Sequence, residues 1–466
     1  MPTRAVSGTT LPLVLEEERK YEVGPLFTLP DLRAAVPKGG GIVDQPAVTL
    51  RATYYDTADL RLARAGASLR HRRGKPGDPW TLKLPYGEPH VRREITARGP
   101  ASRIPETLSR LALAYTRGAS LSPVTTLQTI RRARQVRDAA GQILAEVADD
   151  TVTVLDGRRV ISRFREVEVE RRAGDRTLLA RLERLLITAG AGASSRPKSV
   201  RALGPLAAEP ADLPPPEDLR PDPLMADVLI NELRRQVGQV VSYDPVVRLH
   251  PDELDGVDHL RGANGRLHAD LRAFAPLFAT PPLASGGGRR PARRSASLLG
   301  AARVAAPAPP PFGDPLESLR RLSRTLLAVR TPQVLRQRLA EAGDGKISAA
   351  EALDPEVLTR LDAVLGAIAG HGAADLSALL VSDPHIALLD GLVTVARAPR
   401  LRHLAHEPAT EILPALAATF WERLSHAVDQ LRPESEPGQW RSARTAARRL
   451  SRLCQLAEPA LGERAR

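Results

Sequence analysis

One cysteine, Cys454, stands in 466 residues, so no intramolecular disulfide can form and no thiolate cluster is available for structural zinc. Such usage suits a reducing compartment. Aromatic residues make up 3% of the chain. With so few stacking platforms, sequence-reading RNA or single-stranded DNA binding is disfavoured, and nucleic acid is not an expected partner. The N-terminus lacks the apolar core of a signal peptide, and no later apolar run reads as long enough to span a bilayer. A soluble cytoplasmic protein without a membrane partner is expected. What the chain has in plenty is positive charge. Its 67 Lys and Arg outweigh 54 Asp and Glu for a net charge of +13, which points to anionic partners such as phosphates or polyphosphate.

The sequence divides into two halves of different texture. From Leu13 to Leu203, short alternating segments are punctuated by turn residues such as Gly74-Lys-Pro-Gly-Asp-Pro79 and Asp156-Gly157, a mostly β pattern. Pro30 to Val36 and Leu178 to Ala189 have helical spacing instead and are expected to cover the sheet from outside. Residues 206–222, with Pro214-Pro-Pro216, can continue neither kind of element and read as a linker. Beyond it Met225, Val228, Leu229, Leu233, Val237 and Val240 share one helical face, the start of an all-α bundle over 223–458. Residues 279–312, with Gly286-Gly-Gly-Arg-Arg-Pro-Ala-Arg-Arg294, have too little apolar content to order themselves and read as a disordered basic insertion.

Charged residues in the first half alternate with strand parity. Glu16, Glu18 and Lys20 alternate in Leu15-Glu-Glu-Glu-Arg-Lys-Tyr-Glu-Val23; Arg70 and Arg72 do so in Ala67-Ser-Leu-Arg-His-Arg-Arg73. Lys83 sits in Trp80-Thr-Leu-Lys-Leu84, and Glu166, Glu168 and Glu170 alternate in Phe164-Arg-Glu-Val-Glu-Val-Glu170. An extended chain points each set to one side. One such strand alone reads as a wet sheet face. Several of opposite sign, facing one another inside a sheet or barrel, can hold a polyanion on the basic residues and a divalent ion on the carboxylates. The chemistry is then phosphoryl transfer or hydrolysis.

These segments, with Tyr54-Tyr-Asp-Thr57 between the first and the second and Lys198 and Arg201-Ala-Leu203 closing the set, resemble the CYTH or triphosphate tunnel metalloenzyme family in its usual order over 13–205. The resemblance implies a closed antiparallel barrel of roughly eight strands with flanking helices and charged residues inside. It also implies a triphosphate-bearing substrate bound with Mg²⁺ or Mn²⁺. Carried over residue by residue, Glu16, Glu18, Glu168 and Glu170 are metal ligands, supported by Glu166 and Asp150. Lys20, Arg70, Arg72, Lys83 and Lys198 hold phosphate oxygens, with Arg131 and Arg132 as additions and Glu94 as a further barrel residue. Glu18, Lys20 and Glu168 form the expected catalytic group. Tyr54, Tyr55 and Trp80 are expected to pack rather than to stack on a base.

The second half resembles the CHAD domain, a helical module associated with inorganic polyphosphate. Val257-Asp-His-Leu-Arg-Gly-Ala-Asn-Gly-Arg-Leu-His-Ala-Asp-Leu-Arg272 carries Arg261, Arg266, Asp270 and Arg272 of the family's first basic motif, but has Asp258, Gly265 and His268 where His, Arg and Arg are usual. Arg441, Arg444, Arg448 and Arg452 recur at helical spacing as the second motif. At Val329-Arg-Thr-Pro332, proline is expected to start or break a helix. The combined expectation is a triphosphatase-like hydrolase whose helical half binds polyphosphate, with a cytoplasmic location that includes polyphosphate granules. The alternatives are a noncatalytic polyphosphate-binding or granule-associated scaffold, or a class IV adenylyl cyclase.

Overall fold

A computed structural model describes residues 11, 13–74, 77–88, 90–279, 315–343 and 354–461. The basic insertion expected at 279–312 lies outside them from residue 280 onward. The chain falls into two compact units that meet at Asp212 and Leu213, inside the proline-rich segment 206–222.

The first unit is built on β1 (Leu13–Val23), β2 (Gly41–Asp44), β3 (Val48–Asp56), β4 (Ser68–Arg73), β5 (Trp80–Pro85), β6 (Val91–Ala97), β7 (Ser122–Arg137), β8 (Ile143–Asp156), β9 (Arg159–Arg171) and β10 (Gly192–Ser194). Every pairing is antiparallel, in the order β1-β6-β5-β4-β3-β7-β8-β9. β1 closes the circle by dividing its length. Leu13 to Glu17 pair with β6, and Glu18 to Val23 pair with β9. The expected eight-stranded antiparallel barrel is therefore present, with β2 added to β7 and β10 to β1.

Strand parity sorts the side chains in an inverted way, with charge inside and hydrocarbon outside. Tyr21, Val23, Val147, Val167 and Val169 turn outward onto Leu178, Leu179, Leu182 and Leu186 of α3 (Arg176–Thr188), capped by the Asp175 carboxylate accepting from Leu178 N–H. This is the external cover expected at 178–189. The segment expected to be helical at 30–36 is only a 3₁₀ turn, Leu32–Ala35. One covering helix, Glu106–Thr116, escapes the sequence reading although Leu108, Leu111, Ala112 and Tyr115 recur at helical spacing and are buried. One end of the barrel interior is plugged by Ala52, Tyr54, Leu127, Val152 and Val154, with Phe164 packed against them. The other end stays polar. At the close of β4, Gly74 has φ +91°, and a Cβ there would lie 2.5 Å from the Thr49 carbonyl oxygen, so the hairpin needs glycine.

The second unit is helical, as expected: Met225–Leu249, Leu254–Ala273, Pro315–Gly343, Pro355–Leu380, Asp383–Arg397, Ala409–Asp429 and Pro437–Leu461. Leu260, Leu267, Leu271 and Phe274 are buried, the inward face expected of that segment. Pro332 does not break its helix but lies inside Pro315–Gly343. Proline lacks the N–H that would bond the Ala328 carbonyl. The backbone of helix Pro355–Leu380 comes close at that point, where a Cβ on Gly372 would sit 3.0 Å from Ala328 O. A further correction concerns Glu356–Leu380, which is by length and composition apolar enough to cross a membrane, with a mean hydropathy of 1.4. Ala369, Leu376 and Leu380 are buried, whereas Leu361, Val364 and Ile368 are exposed.

Candidate active site

The polar end of the barrel encloses a cavity of about 250 Å³. β1 supplies Glu16, Glu18 and Lys20; β4 supplies Arg70 and Arg72; Lys83 comes from β5 and Arg131 from β7; β9 supplies Glu168 and Glu170, and Lys198 projects from the turn of helix that follows Pro197. Residues far apart in sequence converge because each obeys the same inward parity. Glu94 lines the cavity too.

In this structure the charges pair chiefly with one another. Lys20 bonds Glu168 and lies 2.9 Å from Glu18; Lys83 bonds Glu16 and lies 3.3 Å from Glu94. Arg131 donates to both oxygens of Asp150, at 2.9 and 2.6 Å, and to Glu168 at 2.5 Å. Lys198 is 2.5 Å from Asp150 and 3.0 Å from both Glu166 and Glu168. Asp150 and Glu166 are almost fully buried and do not line the cavity. Their place is behind the cations, which they orient.

Two arginines stand outside this pairing. Among the described residues Arg70 donates only to the Tyr54 hydroxyl, at 3.3 Å, and its buried Nε has no partner there. Arg72 makes no side-chain hydrogen bond or ion pair among the described residues. Burial first, then Arg70, lowers its pKa to about 10. Burial opposes the charge of Arg70 too, but Tyr54, Glu94 and Glu16 raise its pKa, so the two guanidiniums have carboxylates nearby yet no hydrogen bond to one among the described residues, and their paired donors suit phosphate oxygens.

The carboxylates are strained in the opposite sense. Burial pushes Glu170 up to about 7, with Glu16 adding the next largest push and Glu18 a further one, against Arg172. Burial also raises Glu16, aided by Glu18 and Glu94 and opposed by Lys83. Glu18 would rise by burial alone, yet Lys20 and Lys83 hold it at about 2. Crowded hard oxygen donors of this kind fit a divalent cation, which would relieve their repulsion. Among the described residues no three acidic, His or Cys side chains converge as a ready metal cluster; the lysines and Arg131 draw the carboxylates to themselves.

Arg132 is a correction. It follows the cavity-lining Arg131 on β7, so its side chain points the other way and is exposed. Arg92, Glu146, Arg172 and Tyr54 line the cavity without having been assigned a site role. Parity could have found the first two, since Arg92 alternates with Glu94, and Glu146 lies two steps of two from Asp150. Tyr55 and Trp80 pack as expected, 4.9 Å apart between ring centroids, with Trp80 fully buried.

In the helical unit the expected arginines separate into two groups. Arg266 donates to Gln236 and Gln239 at 2.9 and 2.6 Å, Arg452 pairs with Glu232 and Asp270, and Arg261 lies 3.2 Å from Asp258. Arg272, Arg441, Arg444 and Arg448 are exposed and have no side-chain ion pair among the described residues.

Two uncharacterized proteins from Mycobacterium tuberculosis strains are each 33% identical to this chain over 277 residues, 55% of the chain. The match covers 52% of their own length, so the chain spans about half of the curated relatives it matches. Among solved structures, PptA from Streptomyces chartreusis is similar at 18% identity and a TM-score of 0.36, over 52% of this chain and 78% of that one. The CHAD domain from the plant Ricinus communis is similar at 14% identity and a TM-score of 0.38, over 52% of this chain and 69% of that one. Residues 15–199 match the CYTH domain family and residues 293–466 the CHAD domain family. The chain thus joins a CYTH domain, which is the barrel and its charged cavity, to a CHAD domain in the helical unit.

Proposed function

We propose that the barrel is a metal-dependent triphosphatase that hydrolyses a small triphosphate, and that the helical unit binds inorganic polyphosphate or another long polyanion. One observation carries the first part: a single cavity holds two guanidiniums that make no ion pair among the described residues, beside carboxylates that repel one another. A triphosphate supplies the missing oxygens.

Glu16, Glu18, Glu168 and Glu170 are the set that would hold Mg²⁺ or Mn²⁺. When bound, such a cation neutralises phosphate charge and acidifies water. The chain's own residues do the rest. Arg70 and Arg72 grip the polyphosphate tail by paired N–H donors, while Tyr54 fixes the direction of Arg70. Lys20, Lys83 and Lys198 exchange carboxylate partners for phosphate oxygens as substrate enters, which would leave the released carboxylates free to hold a divalent cation. Glu18, held ionised by Lys20 and Lys83, is suited to orient an attacking water toward the terminal phosphorus. No covalent intermediate is required. Among the described residues Tyr54 is the one aromatic side chain that lines the cavity, and its ring packs in the apolar plug, which favours an inorganic triphosphate over a nucleotide.

The test is phosphate release from tripolyphosphate, ATP and thiamine triphosphate with Mg²⁺ or Mn²⁺, beside a Glu18→Gln variant expected to lose roughly two orders of magnitude of rate. Wild-type protein silent with every metal and triphosphate sinks the proposal. In the helical unit, the exposed arginines Arg272, Arg441, Arg444 and Arg448 support the polyanion reading. Binding there should weaken steeply with salt.

A further inference from the structure

The last helix, α11 (Pro437–Leu461), carries a tryptophan with about half of its surface in solvent. At 100° per residue, Trp440, Arg444, Arg448 and Arg441 fall within an arc of about 100°. All four are exposed, Trp440 by 49%. The helix buries Ala443, Leu453, Leu456 and Ala457 instead. None of the three arginines has a side-chain hydrogen bond or ion pair among the described residues, and Trp440 has no ring partner among them.

An indole left in water keeps a large apolar surface unburied. The chain has 3 tryptophans. Trp80 is fully buried, whereas Trp440 and Trp421, the latter 61% exposed, both lie on the last two helices. Composition counts aromatics but does not say where they stand. A scarce residue type placed in solvent within a row of unpaired guanidiniums has the two parts that a single nucleic-acid strand engages: cations for its phosphates and a flat π-face for a base.

We infer that this face of α11 binds single-stranded nucleic acid, with phosphates on Arg441, Arg444 and Arg448 and an unpaired base stacked on Trp440. The inference rests on the reading that these arginines hold a polyanion and names the class of polyanion. Inorganic polyphosphate has no π-face, so the indole adds nothing to its binding. A duplex keeps its bases stacked on one another and offers only phosphates.

The experiment titrates the full chain with an oligouridylate of about 20 nucleotides and with inorganic polyphosphate of matched charge, reading tryptophan fluorescence and affinity. The oligouridylate should quench the exposed indole. Trp440→Ala should weaken oligouridylate binding about tenfold, Trp440→Phe should restore most of it, and neither should move polyphosphate affinity by more than about twofold. If polyphosphate binds but Trp440→Ala leaves oligouridylate affinity unchanged, or if a duplex of equal charge binds better than the single strand, the inference is overturned while the polyanion reading stands. If neither polyanion binds, both fall. Trp440 is half in water, so its loss leaves the core intact.

Discussion

Replacing Arg72 with methionine should make the barrel more stable and less active at once. Arg72 is a partly buried, cavity-lining guanidinium whose pKa lies at about 10 against an ordinary 12.5, because burial and then Arg70 disfavour its charge. For a cation, a folded pKa below the unfolded value means that the folded state resists the proton. The penalty is fully present below the folded pKa, and stability rises with pH only between the folded and unfolded values. Each pKa unit corresponds to about 1.4 kcal/mol, so the shift sets a ceiling of about 3 kcal/mol at neutral pH. Part of that returns as lost contacts of the alkyl stem. Arg72→Met is therefore expected to gain about 1–2 kcal/mol, measured by urea denaturation at pH 7 without ligand. Tripolyphosphate with Mg²⁺ should stabilise the wild type and have little effect on the variant, whose rate of phosphate release should fall at least about 100-fold. A variant that is less stable than wild type in the absence of ligand, yet hydrolyses normally, would refute the claim that Arg72 is held without a direct ion pair for the sake of substrate.

Glu170 tests the carboxylate side. Its folded pKa of about 7 exceeds the model-peptide value of 4.5, so the metal-free protein loses stability as pH rises from the lower value through the higher. Glu170→Gln should therefore be more stable than wild type at pH 8 and indistinguishable at pH 4, as chemical denaturation in EDTA at both pH values would show. Adjacent arginines on β7 give a parity control. Arg131→Ala should lower kcat/KM for tripolyphosphate by about 100-fold or more, whereas Arg132→Ala, exposed on the opposite face, should stay within about twofold. Equal losses for both would mean that strand parity does not decide which side chain meets substrate.

Much of this architecture was legible because a strand repeats every two residues. The alternation of Glu16, Glu18 and Lys20, of Arg70 and Arg72, and of Glu166, Glu168 and Glu170 marked which face of each strand carries charge. The valines between them marked the face that packs under α3. Arg132 went astray for want of that same rule, since Arg131 and Arg132 cannot both point inward. The helix over 106–116 was lost among neighbouring strands, and Pro332 read as a break because a sequence does not show that another helix can lie against the carbonyl it leaves unbonded.

By itself the sequence determined most of the strands and helices and which side chains share a face, because those are largely local properties of backbone geometry and polarity. Only the tertiary structure decided which charges meet. Asp150 and Glu166 lie behind Lys198 and are buried, whereas Glu170, of the same parity as Glu166, lines the cavity. Arg266 and Arg452 turn inward to Gln236, Glu232 and Asp270, while Arg444 and Arg448 remain in water. Electrostatic pairing depends on distances through space and on local exclusion of water, and neither is written in the spacing of residues along a chain.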